Sequence, residues 1–465
     1  MASVTINVHE VTRVEGHGNI VVRAKDGAVE ECRLDIIESP RFFEAMVRGR
    51  KYTDINFITS RICGICAVGH CTASLQATER AMGVTVSEQT QELRKLNFYG
   101  EQLQSHILHE YFLVAPDFFK AGSVIPLASS HPEVVKRALS LKKLANEMCC
   151  LIGGRHVMPV SLVVGGFTRV PTKKELMDLR AKLVAAGPDI DETVKLFATL
   201  QMPDFKRRTE YISLTHPKEY AFIEGDIKSS VTGVVKPMDY QKVVREKIVR
   251  HSTSKHTYSN RDQVPVDNRQ VREELADADE RFLPVSPQVL VAEEPALRES
   301  YMVGALARFN NNHKQLHPKA KKAAADLKLS APCHNPFMIN AAQIVETVHC
   351  YEESLSLLKQ FAVGDVKDEP IDVRPRAGRG VGACDVPRGI LFHDYTYDDS
   401  GTLTAANLVI PTGQNLANIE QDIRAFVPQI IDRPQDEVRL MLEMLVRAYD
   451  PCISCSVHML DVKFV

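Results

Sequence analysis

The chain has 465 residues, 44% of them hydrophobic, which is enough for a sizeable core in one large unit or in two to three ordinary domains. With 57 Lys and Arg against 59 Asp and Glu, its formal net charge of −2 excludes the basic footprint of a nucleic-acid or anionic-membrane binder. The opening "MASVTINVHE" lacks the pattern of an export signal, and no run of about 18 apolar residues is present to span a bilayer. Eleven cysteines, an odd number spread along the chain, read as free thiols plus a metal-binding or catalytic subset, which fits a reducing, cytoplasmic location.

Residues 3–38 alternate apolar and polar side chains and predict an antiparallel sheet, with "KDG" (25–27) as a hairpin turn. From 68 onward helical spacing dominates: Leu93, Leu96, Leu103, Ile107 and Val114 form one stripe, and Pro116 marks its end. Similar spacing predicts helices over 131–152, 173–200 and 336–361. Residues 203–285 are mixed and polar, and "RHSTSKHTYSNRDQ" (250–263) reads as a surface loop. Over 371–412, "GILFHDYTY" and "LTAANLVIP" flank the turn "DDSG", and two helices lead from there to the C-terminal region. No internal repeat or low-complexity segment appears. The predicted fold class is α+β, a single domain over 1–465 with a β region at 1–60, a mainly helical bundle at 61–370, and β segments and helices at 371–465.

Two Cys-x-x-Cys pairs stand close to opposite ends, in "TSRICGICAVGHC" (59–71) and "DPCISCSVH" (450–458). Together they can supply four thiolates to one metal. Three readings of the residues alone stay open: a structural zinc, unrelated buried or redox cysteines, and a central functional metal site. Structural zinc pairs usually lie within a few tens of residues because the metal staples a local fold. Separation by almost the whole chain favours the central site.

The local sequence extends both pairs. Arg61, Cys63, Cys66 and His70 form R-x-C-G-x-C-x-x-x-H, and the second pair forms D-P-C-x-x-C-x-x-H. This pair of signatures resembles the large, catalytic subunit of nickel–iron hydrogenases. "VTRVEGHGNI" (11–20), "FFEAMVRGR" (42–50), "GACDVPRGILFH" (382–393) and "NLVIPT" (407–412) look like further motifs of that family. The resemblance runs from about residue 5 to 458 and is weakest over 200–330. It implies that fold and reversible heterolytic cleavage of H2, with the proton passing to a nearby base and the electrons leaving singly.

Residue by residue, the resemblance implies Cys63 and Cys452 as terminal nickel thiolates and Cys66 and Cys455 as bridges to an iron carrying one carbon monoxide and two cyanides. Soft thiolates suit nickel and low-valent iron, and bound metal keeps them deprotonated. The base is either Cys452 or Arg388; because an arginine pKa exceeds about 12, Arg388 has hydrogen bonding and electrostatic positioning as its other role. Glu15 matches the family's proton relay, a buried carboxylate whose raised pKa suits uptake and release near neutrality. Glu44, the Leu408 carbonyl and the His458 ring resemble the ligands of a magnesium or iron ion near the C-terminus, with the imidazole leaving the metal open. Pro411, Thr412 and backbone donors near Arg388 are implied to line the cyanides. His70 reads as a structural hydrogen-bonding residue, and the other seven cysteines carry no assigned role.

Where many family members have an aspartate, "QLQSHILHEYF" has Ser105, which removes an acidic group beside the centre. Together with the "SCSVH" ending, it looks most like the soluble multimeric hydrogenases. No further cysteine cluster has iron–sulfur spacing, so a small iron–sulfur subunit is implied, with a nicotinamide, a deazaflavin or, as the favoured reading, a flavin-based heterodisulfide-reductase-like module as onward acceptor. Residues 459–465 follow His458, where the resemblance implies that a nickel-dependent protease removes such a tail in most of the family; they read either as retained in the mature protein, the favoured reading, or as the tail of an unprocessed precursor. Two rival readings remain: a complex I-like quinone-module subunit, which lacks the full cysteine set, and a non-catalytic scaffold with a structural zinc on four cysteines.

Overall fold

Strands Ser3–Val8, Gly18–Lys25 and Ala28–Ile36 pair antiparallel in sequence order in the computed structural model, which describes residues 3–25, 28–39, 41–249, 251–260 and 300–457. Alternation places Ile6, Val8, Ile20, Val22, Leu34 and Ile36 in the core. Of the expected turn "KDG", Asp26 and Gly27 lie outside the described residues.

Helices Ala67–Met82 and Glu88–Leu108 pack together, and Pro132–Gly153 and Ile339–Val363 pack against the second of them. The stripe of Leu93, Leu96, Leu103 and Ile107 is buried as expected. So are Gln102, Gln104, Ser105 and His106, because the helix is enclosed by other elements and not laid on a surface. Pro116 does not end the helical run. The chain passes through a π turn, His109–Val114, into Ala115–Phe118, where Pro116 occupies a first-turn position that requires no amide donor. The single helix expected over 173–200 is two, Lys173–Ala185 and Gly187–Ala198, with Pro188 opening the second.

Within the stretch expected to be mainly helical, Tyr301–Met302, Glu210–Thr215, Asp226–Ser229 and Gly233–Val235 form a four-stranded sheet in that order. Val244–Ile248 pairs antiparallel with Lys255–Ser259, which overturns the loop reading of 250–263; positions 250 and 261–263 lie outside the described residues. The strand looks loop-like by composition, yet His256, Thr257 and Ser259 are buried against helix Pro411–Ile430, and Ser259 donates to Glu210 Oε2 at 2.6 Å. Burial with a satisfied polar partner, which composition does not reveal, decides the conformation.

Strands Gly378–Val386, Gly389–Tyr397 and Leu403–Val409 form a second antiparallel sheet. Val386 pairs with Gly389, so Pro387 and Arg388 are the tip of a two-residue hairpin. The first strand presses directly on helix Ala67–Met82. A Cβ on Gly378, Gly380 or Gly382 would overlap the backbone carbonyl of Ala81, Ala77 or Ala73. Glycines two apart on the strand thus meet alanines four apart on the helix, the repeats of the two structures.

Below the hairpin tip lies an enclosed ion cluster. Arg308, fully buried, donates to both Glu346 oxygens at 2.6 and 2.7 Å and to Asp385 Oδ1 at 3.0 Å. Its remaining bonds go to the carbonyls of Val386 and Pro387, at 2.8 and 3.0 Å, fixing the turn that carries Arg388. Burial alone would raise the Glu346 carboxyl, but Arg308 and His106 hold it down at about 2.

Gly382→Ala forces the strand off the helix and is expected to cost about 1–3 kcal/mol, whereas Gly364→Ala, with open space around it, stays within about 0.5 kcal/mol; denaturant midpoints of the two variants check this. Arg308→Met strands two buried carboxylates and is expected to cost about 3–5 kcal/mol. A depressed carboxyl stabilises fully above its unfolded value of 4.5 and loses that contribution as pH falls toward 2. The native protein therefore loses stability over that window through Glu346, and the Arg308→Met difference shrinks there; melting temperature against pH measures it.

Candidate metal centre

Cys63 follows the short helical turn Ser60–Ile62, and Cys66 immediately precedes helix Ala67–Met82. The loop between them folds inward, so that the amides of Ile65 and Cys66 donate to Cys63 Sγ at 3.3 and 2.9 Å. Glu101, fully buried on helix Glu88–Leu108, accepts from the amides of Val68 and Gly69 at 2.6 and 2.8 Å. It caps the helix start that carries Cys66. Burial pushes its carboxyl well above the usual range.

The second pair is delivered by a backbone bracket. Glu15 donates its amide to Pro451 O at 3.3 Å and accepts from the Ile453 amide at 2.9 Å, straddling Cys452 in a parallel bridge. The Cys452 amide donates to Thr412 Oγ1 at 3.0 Å, at the start of helix Pro411–Ile430. Cys455 lies in the turn Ile453–Ser456.

All four cysteines are buried, and their sulfurs lie within 4.8 Å of one another, with Cys63 and Cys452 at 3.7 Å. Burial pushes the Cys455 thiol up to about 11. It also opposes a Cys63 thiolate, but hydrogen bonds from Cys452, Cys455 and Cys66 and the charge of Arg388 hold that thiol well below its usual value. Sulfur-only donors in a dry pocket cannot all ionise unless cations neutralise them, so the set fits thiolate-bound soft metal. His70, read as a structural hydrogen-bonding residue, pairs through Nδ1 with His393 Nε2 at 3.1 Å, and its buried Nε2 has no partner among the described residues.

Arg388 is nearly enclosed and faces the sulfurs. It donates to Asp450 through Nε to the carbonyl at 2.6 Å and through Nη2 to Oδ1 at 2.8 Å, and through Nη1 to Ser105 Oγ at 3.3 Å. Burial opposes its charge, but Asp450 and then Cys452, Cys66 and Cys63 more than compensate and raise its pKa. Ser105, singled out as the lost aspartate, thus reaches the arginine as a neutral acceptor. Behind Asp450, in the π turn, His109 directs Nδ1 to Gln343 Oε1 at 2.7 Å and Nε2 to Arg447 O at 2.8 Å. Two acceptors require two ring donors. Burial works against that charge, yet Asp450 and Glu110 lift the pKa to about 9.

Glu15, expected to be buried, is half-buried. Its Oε2 accepts from Cys452 Sγ at 3.1 Å, and Ser454 holds it through Oγ to Oε1 at 2.6 Å and through its amide at 3.2 Å. Glu44 and Leu408 also meet, but the contact described is from the Leu408 amide to Glu44 Oε1 at 2.9 Å. His458 lies outside the described residues. Pro411 and Thr412 open their helix beside Cys452, where the positive end of the dipole favours anionic groups. Of the cysteines given no role, Cys150 is exposed and Cys333 partly so; Cys32, Cys71, Cys149, Cys350 and Cys384 are buried. The sequence reading assigns no role to Glu101, Ser454 or His109, and Asp450 enters it only as the first residue of the D-P-C-x-x-C-x-x-H signature; His109 is signalled by its His-x-x-His spacing from His106, and Ser454 by its place between the second pair of cysteines.

Comparison with known proteins agrees with this arrangement. Residues 41–133 and 134–458 match the family described as nickel-dependent hydrogenase, and residues 5–39 match one described as HoxL-like. The alpha chain of sulfhydrogenase 1 from Pyrococcus furiosus is 32% identical over 457 residues, 97% of each chain. A chain of the F420-non-reducing hydrogenase from Methanothermobacter marburgensis is 30% identical over 488 residues, 98% of this chain and 95% of that protein. An NAD+-reducing NiFe hydrogenase solved in its H2-reduced state superposes with a TM-score of 0.79 at 26% identity, covering 98% of this chain and 100% of that one. Among the described residues no helix is long and apolar enough to cross a membrane. A metal-ready box of four buried cysteines, in a chain matched over nearly its whole length, makes this protein a member of the nickel-dependent hydrogenase family, the catalytic large subunit of an enzyme that acts on H2.

Proposed function

We propose that Cys63, Cys66, Cys452 and Cys455 hold the nickel–iron centre of the family, Cys63 and Cys452 as terminal nickel ligands and Cys66 and Cys455 as bridges to iron. One carbon monoxide and two cyanides complete the iron, lined by Pro411, the Thr412 hydroxyl and backbone donors around Arg388. When bound, this centre supplies the site of heterolytic H2 cleavage and the route by which electrons leave one at a time. The observation that carries the reading is the 3.1 Å contact of Cys452 Sγ with Glu15 Oε2, beside four sulfurs within 4.8 Å of one another.

In this reading the proton released at Cys452 Sγ moves to Glu15, whose carboxylate Ser454 keeps aimed at the sulfur. Glu15 is in contact with the sulfur and only half-buried, which suits a relay between the cysteine and the surface. Arg388 acts as a fixed cation. Tied to Asp450 by two bonds, it supplies hydrogen-bond donors and positive charge, and Asp450 keeps it charged, which disfavours the base role.

Electrons leave through a partner, because the remaining cysteines gather into no second cluster among the described residues. A groove lined by Phe43, Met46, Arg50, Asp54, Phe57, Ile58 and Arg61, just before Cys63, suits the small iron–sulfur subunit. A flavin or heterodisulfide-reductase-like module then takes the electrons in the cytoplasm. Glu44 and the Leu408 carbonyl, with His458 from outside the described residues, would hold a magnesium or iron ion. The 465 residues act as one domain.

Glu15→Gln tests the proton route. The variant is expected to keep its nickel and iron yet lose about 100-fold in exchange of D2 with solvent protons, the scale of one general acid–base group, read by mass spectrometry. Unchanged exchange at full nickel content removes Glu15 from the path.

A further inference from the structure

A second group of metal-type side chains lies apart from the cysteines. His251, His256 and Glu420 bring three ligand atoms within 4.8 Å of one another. His251 precedes strand Lys255–Ser259, His256 belongs to it, and Glu420 comes from helix Pro411–Ile430, which packs on that strand. Glu420 Oε1 faces His251 Nε2 at 2.9 Å and accepts the Leu34 amide, from the N-terminal sheet, at 2.9 Å. The Thr253 amide ties the same segment to Ile36 O at 3.1 Å.

His256 gives the group its meaning. It is 0% exposed, and neither of its ring nitrogens has a hydrogen-bond partner among the described residues. A buried imidazole with both nitrogens idle is costly, and native interiors rarely keep one without a use. The His251–Glu420 pair accounts for those two side chains but leaves His256 unexplained. Burial keeps the His256 ring neutral, the form that ligates metal. The rings of His251 and His256 stand edge to face, their centroids 5.3 Å apart.

We propose that His251, His256 and Glu420 form a three-ligand site for a divalent transition metal of the zinc class. Two imidazoles and a carboxylate are a common zinc donor set that leaves one position for water. The partial exposure of His251 and Glu420, at 28% and 15%, provides the entry path and the place for that water. Around a tetrahedral zinc with ligand distances of about 2.0–2.2 Å the ligand atoms stand about 3.4 Å apart, a closure that side-chain rotation supplies. The ion clamps strand Lys255–Ser259 to helix Pro411–Ile430, whose first-turn Thr412 lies about 12 Å back from Glu420 at 1.5 Å per residue. The clamp therefore steadies the element on which the Cys452 amide rests.

The test uses the assembled enzyme, treated with chelator, given one equivalent of zinc and dialysed, then examined at the zinc K-edge, which is selective against nickel and iron. The expected result is one retained zinc with only nitrogen and oxygen neighbours, two of them imidazoles, and at least tenfold weaker zinc binding in His256→Leu. His251→Ala and Glu420→Gln, at partly exposed positions that leave the core filled, are expected to show the same loss and to abolish a zinc-dependent rise in melting temperature. Sulfur among the zinc neighbours, equal retention in His251→Ala and Glu420→Gln, or no retained zinc overturns the proposal.

Discussion

Two strands of backbone from opposite ends of the chain lie side by side at Glu15 and Cys452, and the four-cysteine cluster is assembled around that bracket. Through the Pro451 carbonyl and the Ile453 amide, Glu15 fixes a cysteine 437 positions away and places its own carboxylate on the sulfur. The connection between the first two strands of the N-terminal sheet thereby becomes a wall of the cysteine cluster. The second cysteine pair joins the first, 389 positions away between Cys63 and Cys452, through contacts that only the complete tertiary fold supplies.

Around the box, charges alternate outward from the sulfurs: Arg388, then Asp450, then His109. Each buried charge is acceptable because the next one compensates it, and removal of any member leaves an uncompensated neighbour in a dry interior. Arg308 extends the same logic beneath the hairpin tip, where it neutralises Glu346 and Asp385 and binds the Val386 and Pro387 carbonyls. The close packing of glycine strand on alanine helix holds the Arg388 turn and the Cys66 helix in one rigid relation. Electrostatic preorganisation of this kind acts with full strength where water is excluded.

Much of this was legible in the sequence because it is local. The strand alternation over 3–36, the leucine stripe of Glu88–Leu108 and the turn "DDSG" are short-range patterns, and the structure realises them. The cysteine signatures are local as well, and the four sulfurs do converge. What escaped is non-local. Glu101 sits on a helix whose period says nothing about the amides of Val68 and Gly69 above it, and Arg308 finds its carboxylates 38 and 77 positions away. Polar side chains in "KHTYS" read as a loop until their buried partners are known. Pro116 reads as a helix end yet occupies a first turn, because a helix tolerates proline there as readily as it stops before one.

Every catalytic role proposed for this chain depends on the cysteine box holding nickel and iron, with the iron carrying diatomic ligands, and one spectrum addresses that directly. An infrared spectrum of anaerobically purified enzyme, taken where metal-bound cyanide and carbon monoxide stretch, is predicted to show two cyanide bands and one carbonyl band. A nickel-containing sample that turns over H2 yet is blank in that window contradicts this assignment, as does a box filled by a single zinc in the active enzyme.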